Sequence, residues 1–275
     1  MIRSGPAVAG EPFAQERIDW NKPSAPFHII GNIYYVGTAD LAIYLIVTPK
    51  GDILIDAGEP ESPPLIEKNI TAPGFHLSDI RFLINSHAHF DHAGGLAEMQ
   101  GKTGTKVIGG APDKPILERG YITFGPSAPI HSAPVHVDRA VHDGDQLKLG
   151  GVVLTAHLTP GHTPGCTTWT MPTSENGERH EVVFACSTTT GGNPLVGNTE
   201  YPGINSDFRH SFAVLKADVF LPGHARFFDA HGKAARAKAG GPNPFVDSGE
   251  LRRYTEASER DFNAELGKQE AAAKP

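Results

Sequence analysis

The fold of this chain is decided by one stretch, Ser86-His87-Ala88-His89-Phe90-Asp91-His92-Ala93-Gly94-Gly95, which places three histidines and one aspartate within six positions. Imidazole and carboxylate groups are ligands that zinc accepts. The apolar run at 80–85 is typical of a short buried strand, and the residues from 93 onward are typical of a helix start. We therefore place the stretch on a strand-to-helix turn, where the backbone can aim several side chains at one point.

The spacing within this stretch indicates two metal ions. His87 and His89 are two residues apart, so in extended backbone they project the same way and can bind one metal. Asp91 and His92 follow directly and point elsewhere, which favours a second metal nearby. A helical zinc motif would instead space its histidines four residues apart. Because four ligands cannot complete two sites, we expect further ligands downstream.

Two later turns of similar design supply the best candidates for those ligands. His162 lies in Pro160-Gly161-His162-Thr163-Pro164-Gly165, after an apolar run at 152–156, and His224 ends the segment Leu221-Pro222-Gly223-His224. Each histidine therefore follows a predicted strand. We interpret the other histidines as structural rather than as ligands: His28, His76, His131, His136, His142, His157, His180, His210 and His231.

These motifs, together with the strand-end sequence Ile53-Leu54-Ile55-Asp56-Ala57-Gly58, resemble those of the metallo-β-lactamase superfamily from Ile29 to the C-terminal helix. The resemblance implies an α/β fold, an αβ/βα sandwich of two mixed β-sheets flanked by helices. It also implies two Zn²⁺ ions per chain. The first would be bound by His87, His89 and His162, and the second by Asp91, His92 and His224.

One absence helps to choose the branch of the superfamily. Thioesterases of the glyoxalase type, lactonases and nucleases of this fold carry a bridging aspartate after a strand between the third and last histidines. Here the equivalent strand at 181–185 ends in Cys186-Ser187-Thr188, without an aspartate. The chain therefore looks like subclass B3 of the metallo-β-lactamases, whose second zinc is bound by Asp-His-His. The segments at 197–202 and 207–212 also resemble that subclass.

The same resemblance implies candidate substrate-binding residues. Ser187 and Thr189 match positions that hold the substrate carboxylate, and Asn193 stands where many members carry a tyrosine. Tyr121 and Phe124 lie in an irregular segment that borders the active site in the family. Those two side chains could grip a bicyclic substrate or could simply cover the core, and the sequence leaves both interpretations open.

The two cysteines, Cys166 and Cys186, are equidistant from Asn176 in a predicted hairpin. Simple antiparallel pairing would place them opposite each other, at a separation that a disulfide tolerates. We predict a disulfide between them. The alternative is that Cys186 is a zinc ligand or a free thiol beside the metal, since it directly precedes Ser187.

Composition and length are those of an ordinary folded enzyme. The chain has 275 residues, of which 39% are hydrophobic, and a net charge of −7. With no basic run we expect no nucleic-acid partner, and no apolar span is long enough for a membrane helix. We predict a single domain over 1–275, a monomer, with an N-terminal extension over about 1–25 and a frayed C-terminal tail over about 267–275. The segment at 111–130 is interpreted largely as loop. Helices are predicted at 208–215 and at 249–266.

The resemblance implies a zinc-dependent β-lactamase that hydrolyses the amide bond of penicillins, cephalosporins or carbapenems by attack of metal-bound hydroxide. Asp91 would bind the second zinc and orient the nucleophile, and Asp56 is a candidate to orient a ligand. The alternatives are a lactonase or phosphoesterase on the same scaffold, and a non-catalytic binding module. The start of the chain lacks the apolar core of a signal peptide, so the periplasmic location of the family would imply a removed leader.

Overall fold

We describe a computed structural model of the chain, which covers residues 12–213 and 215–274. Its centre is a pair of β-sheets. The first has seven strands in chain order: β1 (Phe27–Ile30), β2 (Ile33–Tyr35), β3 (Tyr44–Ile46), β4 (Asp52–Ile55), β5 (Ile80–Ile84), β6 (Lys106–Gly110) and β7 (Arg139–Val141). Strands β1 to β4 pair antiparallel and β4 to β7 pair parallel, so the sheet is mixed.

The second sheet has the order β12-β11-β10-β9-β8. Its strands are β8 (Gln146–Leu149), β9 (Val152–Leu158), β10 (Thr167–Glu175), β11 (Glu178–Ala185) and β12 (Val219–Pro222). Strands β8 to β11 form antiparallel hairpins, whereas β12 lies parallel to β11. A parallel neighbour requires a crossover connection, and the segment that holds helix α6 (Ile204–Ser211) provides it.

The remaining helices flank the two sheets. In chain order they are α1 (Ala14–Trp20), α2 (Pro63–Thr71), α3 (Phe90–Ala93), α4 (Leu96–Thr103), α5 (Lys114–Arg119), α7 (Ala230–Lys238) and α8 (Glu250–Ala272). Together with the two mixed sheets they confirm the predicted αβ/βα sandwich. Within the described residues, no helix is both long and apolar enough to cross a bilayer.

Strand β4 shows how the core is divided. Its side chains alternate, so that Ile53 and Ile55 join one buried cluster while Leu54 joins another. The first cluster contains residues from both sheets, among them Trp169 and Phe220, and it holds the sheets together. The second cluster packs the outer face of the first sheet against helices. A strand that is buried on both faces reads as a continuous apolar run, which is the pattern at 53–55.

Several elements differ from the prediction. Helix α5 occupies part of the segment that we interpreted as loop, and its six residues are too few to show a helical period. Helix α6 begins at Ile204, earlier than predicted. Helix α1 lies inside the predicted N-terminal extension.

The predicted C-terminal tail also differs, because helix α8 continues to Ala272. Tertiary contacts stabilise its last turns. The side-chain oxygen of Gln269 accepts a hydrogen bond from the backbone N–H of Leu195 at 2.7 Å, and its nitrogen donates to the carbonyl of Asn193 at 3.3 Å. The segment at 267–272 is therefore helix rather than a frayed tail.

Cys166 and Cys186 form a disulfide, with their Cα atoms 5.8 Å apart. The predicted bond is present, although the strand pairing differs by one residue from the pairing that we predicted, in which Cys166 lies directly opposite Cys186. The hairpin turns through Asn176 and Gly177, both at positive φ, so Glu175 pairs with Glu178 and Trp169 with Phe184. A turn of two residues has its centre between them rather than on Asn176. The bond excludes a free thiol or a thiolate ligand at Cys186.

Candidate metal centre

Three loops of the two sheets converge to form the candidate metal centre. The loop after β5 carries His87 and His89, and helix α3, which follows it, carries Asp91 and His92. The loops after β9 and β12, in the other sheet, carry His162 and His224. All six predicted ligands are buried. The site therefore exists only when the two sheets are packed together.

The first predicted trio has the geometry of a metal site. The ligand atoms of His87, His89 and His162 all lie within 4.8 Å of one another. Nδ1 of His89 is 2.9 Å from Nε2 of His162. Nε2 of His87 is buried without a hydrogen-bond partner in the described part of the chain. A buried polar atom is costly unless it is paired, so a bound cation fits these three nitrogens.

The second trio is built around one carboxylate oxygen. Oδ2 of Asp91 lies 3.5 Å from Nε2 of His92 and 3.3 Å from Nε2 of His224. His87, Asp91 and His92 also form a compact group, within 4.8 Å. This group shares His87 with the first trio, so the described residues fit a bound cation with nitrogen and oxygen ligands.

Buried carboxylates orient two of these imidazoles. Nδ1 of His92 lies 3.1 Å from Oδ2 of Asp56, and Nδ1 of His224 lies 2.9 Å from Oδ2 of Asp40. A carboxylate can only accept, so each imidazole donates from Nδ1 and keeps Nε2 free for a metal. The sequence pointed to Asp56. It did not point to Asp40, which is far from His224 along the chain and lies in no recognisable motif.

Two other imidazoles are oriented by uncharged oxygens. Nδ1 of His162 lies 2.7 Å from the carbonyl of Thr189, and Nδ1 of His87 lies 3.0 Å from Oγ of Ser86. Ser86 in turn donates from Oγ to Asp56 at 2.6 Å. Asp56 holds this position in the left-handed region, at φ 63°. One carboxylate therefore supports ligands of both trios.

Asp113 joins the two ligand loops, and sequence analysis missed it. Its buried carboxylate accepts hydrogen bonds from the backbone of Ala88 at 2.9 Å, from the backbone of Gly165 at 2.7 Å and from Oγ1 of Thr163 at 2.7 Å. Burial raises the pKa of this carboxyl to about 6 although these three donors favour the charged form. Its contacts hold the loop after β5 against the loop after β9.

The electrostatics of the cluster favour a cation. Burial, and then the neighbouring imidazoles, hold the pKa of His87 and of His162 well below the usual range, and burial lowers the pKa of His89 to about 4. Burial alone would raise the pKa of Asp91, but the imidazoles of His92 and His224 lower it further than burial raises it. Neutral imidazole and ionised carboxylate are the forms that bind metal.

A cleft opens over the cluster, and two of the predicted substrate-binding residues line it. Ser187 and Thr189 follow β11, with their hydroxyl oxygens 2.9 Å apart. No acidic residue occurs between them and Glu200, so this wall offers hydroxyls and no carboxylate. The complete lining is Phe13, Trp20, His89, Phe90, Asp91, Ser127, His162, Ser187, Thr189, Gly191, His224, Arg226 and Phe227.

The other three predicted substrate-binding residues do not line this cleft. Tyr121 is 37% exposed and stacks on His131, with ring centroids 4.5 Å apart. Phe124 is buried in the outer core cluster against Tyr201. Phe124 therefore follows the interpretation in which this segment covers the core, whereas Tyr121 lies at the surface.

Asn193 is buried behind the cleft, and its side-chain nitrogen donates to the carbonyl of His162 at 3.2 Å. It therefore supports the loop that carries His162 and does not line the cleft. The place of Asn193 along the chain does not determine the direction of its side chain.

Helix α1 supplies a wall of the cleft that sequence analysis missed. Trp20 lies against His224, with ring centroids 5.3 Å apart, and Phe13 packs on Phe90 at 6.1 Å. The helix is held in place by a buried contact, in which Nε of Arg17 lies 3.2 Å from Oε2 of Glu59. The short helix shows no clear period, so only the folded structure brings its aromatic residues to the metal centre.

Comparison with known proteins agrees with this geometry. The family model of the metallo-beta-lactamase superfamily matches residues 41–224. The crystal structure of BJP-1, a subclass B3 metallo-beta-lactamase of Bradyrhizobium japonicum, is 44% identical, with a TM-score of 0.89 over 93% of this chain and 98% of that one. The native FEZ-1 metallo-beta-lactamase from Legionella gormanii is 42% identical, with a TM-score of 0.88 over 91% of this chain and 98% of that one.

Curated relatives match over shorter stretches. A hydroxyacylglutathione hydrolase from a Bradyrhizobium species is 32% identical over 120 residues, which are 44% of this chain and 39% of that protein. The chain spans about half the length, or less, of the first curated relatives that it matches. The match to the family model and the two structures together cover the ligand loops of both sheets. The chain belongs to the metallo-beta-lactamase superfamily, and within it resembles subclass B3.

Proposed function

We propose that this protein is a zinc-dependent β-lactamase of the subclass B3 type, which hydrolyses the amide bond of β-lactam antibiotics. One observation carries the proposal. Two adjacent trios of metal-binding side chains lie under a cleft whose wall after β11 consists of the hydroxyls of Ser187 and Thr189. The similarity to subclass B3 enzymes along almost the whole chain supports it.

We propose two Zn²⁺ ions as the cofactors, held by His87, His89 and His162 and by Asp91, His92 and His224. Imidazole nitrogens with a single carboxylate favour zinc over magnesium or calcium, which prefer oxygen ligands. When bound, zinc would supply an acidified water and a Lewis acid for the amide carbonyl. The protein supplies the neutral imidazoles, which Asp40, Asp56 and the Thr189 carbonyl keep in the required orientation.

In this proposal the substrate lies between two unlike walls. The hydroxyls of Ser187 and Thr189 donate hydrogen bonds to the ring carboxylate, beside His162. Phe13 and Trp20 cover the opposite side and exclude water from the reacting amide. Asp91 is the catalytic residue among the ligands, because its carboxylate lies at the centre of the second trio and can orient the nucleophile. The reaction needs no covalent intermediate with the protein.

Location, domain organisation and assembly belong to the same proposal. We propose that the protein acts in the periplasm, where it would confer antibiotic resistance. The Cys166–Cys186 disulfide supports this, because such bonds persist in oxidising compartments. We also propose a single domain that acts as a monomer and binds a small molecule.

The test is hydrolysis of a carbapenem by the purified protein, followed by loss of β-lactam absorbance with and without a zinc chelator. We expect turnover that the chelator abolishes and added zinc restores. H162A should lose zinc and turnover, whereas H136A, at a 71% exposed side chain outside the centre, should keep both. Absence of turnover with two zinc ions verified by elemental analysis would contradict the proposal and favour a lactone or phosphoester hydrolase.

A further inference from the structure

Arg226 stands out among the residues that line the cleft. Within the described part of the chain, it is the only arginine or lysine of that lining. Its side chain is 46% exposed, so the guanidinium can meet a ligand. The reaction proposed above uses the hydroxyls beside His162 and the metal ligands, and it assigns no role to this cation.

The structure holds the guanidinium in a defined position. Nη1 of Arg226 donates to Oδ2 of Asp40, and the backbone N–H of Arg226 donates to Oδ1 of the same carboxylate at 2.9 Å. The guanidinium carbon lies 5.5 Å from the ring centroid of Trp20 and 4.7 Å from that of Phe227. Contacts of a guanidinium with aromatic faces are favourable, so the two rings limit its motion.

Part of the guanidinium is left available. Among the described residues, Nε and Nη2 of Arg226 make no hydrogen bond, whereas Nη1 is occupied by Asp40. An arginine presents its donors in a planar fork that matches a carboxylate. The site therefore combines a cation with unused donors and two aromatic surfaces.

Arg226 and the hydroxyl wall lie beside different histidines of the ligand cluster, one from each predicted trio. Nη1 of Arg226 is 3.1 Å from Nδ1 of His224, while the Thr189 carbonyl is 2.7 Å from Nδ1 of His162. In a penicillin, the ring carboxylate and the acyl side chain lie at opposite ends of the bicyclic nucleus. A substrate whose ring carboxylate meets Ser187 and Thr189 would direct its acyl group toward Arg226.

We propose that Arg226 is a specificity-determining residue, which binds an anionic group on the acyl side chain of the substrate, with Trp20 and Phe227 receiving an attached aromatic ring. The inference rests on the proposed β-lactamase activity. It identifies penicillins that carry a carboxylate at the acyl α-carbon as preferred substrates, because that carboxylate would meet Arg226.

The test compares two substrates that differ by one carboxylate, benzylpenicillin and α-carboxybenzylpenicillin (carbenicillin). We would measure kcat/KM for both with the zinc-loaded wild type, R226K, R226Q and R236Q. In R226Q, the kcat/KM for carbenicillin divided by that for benzylpenicillin should fall roughly three- to thirty-fold. This is the size expected for one charge-assisted contact that is partly exposed. R226K keeps the charge without the fork and should fall less.

The ratio separates recognition from general damage. Arg226 contacts Asp40, which orients His224, so R226Q can lower turnover of both substrates, and that common effect cancels in the ratio. R236Q changes an arginine that is 57% exposed, paired with Asp229 and outside the cleft lining, and should leave the ratio unchanged. Added salt should lower the ratio in the wild type more than in R226Q.

Two results would overturn the inference. An unchanged ratio in R226Q would show that Arg226 does not meet the acyl group. An equal change in R236Q would show that the effect is one of overall charge. Failure of the wild type to hydrolyse either penicillin would instead contradict the proposed function itself.

Discussion

At the residue scale, the metal centre depends as much on the partners of the imidazoles as on the imidazoles themselves. Asp56 and Asp40 each accept a hydrogen bond from Nδ1 of a predicted ligand, His92 and His224 respectively. Such partners determine which ring nitrogen faces the metal and raise its basicity. Of these two carboxylates, Asp40 also pairs with Arg226, which lines the cleft.

We therefore predict that D40N weakens zinc binding roughly 10- to 100-fold, since the amide removes the charge that holds His224 in one tautomer. The measurement is zinc affinity by competition with a chromophoric chelator. D229N is the matched control, because Asp229 is an exposed carboxylate that also pairs with an arginine and lies away from the centre. Equal zinc affinity of D40N and the wild type would contradict this role.

At the element scale, the hairpin β10–β11 connects the core to the cleft. Cys166 precedes β10 and Cys186 follows β11, so their disulfide closes the open end of the hairpin. Ser187 comes directly after the bond, and its hydroxyl accepts the backbone N–H of Thr189 at 3.2 Å. The covalent link therefore fixes the start of the hydroxyl wall.

We predict that C166S/C186S lowers the free energy of unfolding by about 2–4 kcal/mol, since the bond closes a loop with a sequence separation of 20 residues. Urea unfolding under oxidising conditions measures the loss. In C166S alone, the Cys186 thiol should react with a thiol reagent once the protein is unfolded. With a reductant that opens the bond, the wild type and the double variant should unfold at nearly the same urea concentration. Coincident curves without reductant would rule out this contribution.

At the scale of the whole molecule, the ligand cluster is an internal polar group assembled from both sheets. His87 and His89 come from the loop of the first sheet, and His162 comes from the second. Packing the sheets together buries these imidazoles and lowers the pKa of each. The unfolded chain, in contrast, takes up protons at the ordinary pKa of about 6.5.

The sign of the pH effect follows from this difference. Above about pH 6.5, His89 is neutral in the folded and in the unfolded chain, so its titration does not change the free energy of unfolding. As the pH falls toward the folded value of about 4, only the unfolded chain binds the proton, and the fold loses stability.

We predict that metal-free wild type loses about 2 kcal/mol of unfolding free energy relative to metal-free H89N between pH 7 and pH 4.5. Urea unfolding of both proteins across this range gives the comparison. Buried carboxyls such as Asp113 and Glu59 also have raised pKa values, but they occur in both proteins and cancel. Parallel pH curves for the two proteins would show that His89 does not titrate in this way.

The sequence alone was sufficient for the fold class, and it placed the six predicted ligands in short local motifs. The spacing from His87 to His92 requires only a strand followed by a turn, and both are local properties of the chain. The Pro-Gly-His turns at His162 and His224 are local for the same reason. Candidate ligands in local motifs can be read without knowing how the sheets pack, and the resemblance of these motifs to the family implied the sandwich.

The tertiary structure alone decided which side chains surround those ligands. Asp40 reaches His224, Asp113 joins two loops, and Trp20 on helix α1 forms a wall of the cleft. In the folded chain, Asn193 and Phe124 are buried, and the end of helix α8 binds the loop at Leu195. These contacts join residues that are distant along the chain. Their partners depend on the packing of both sheets, which no local pattern of the sequence encodes.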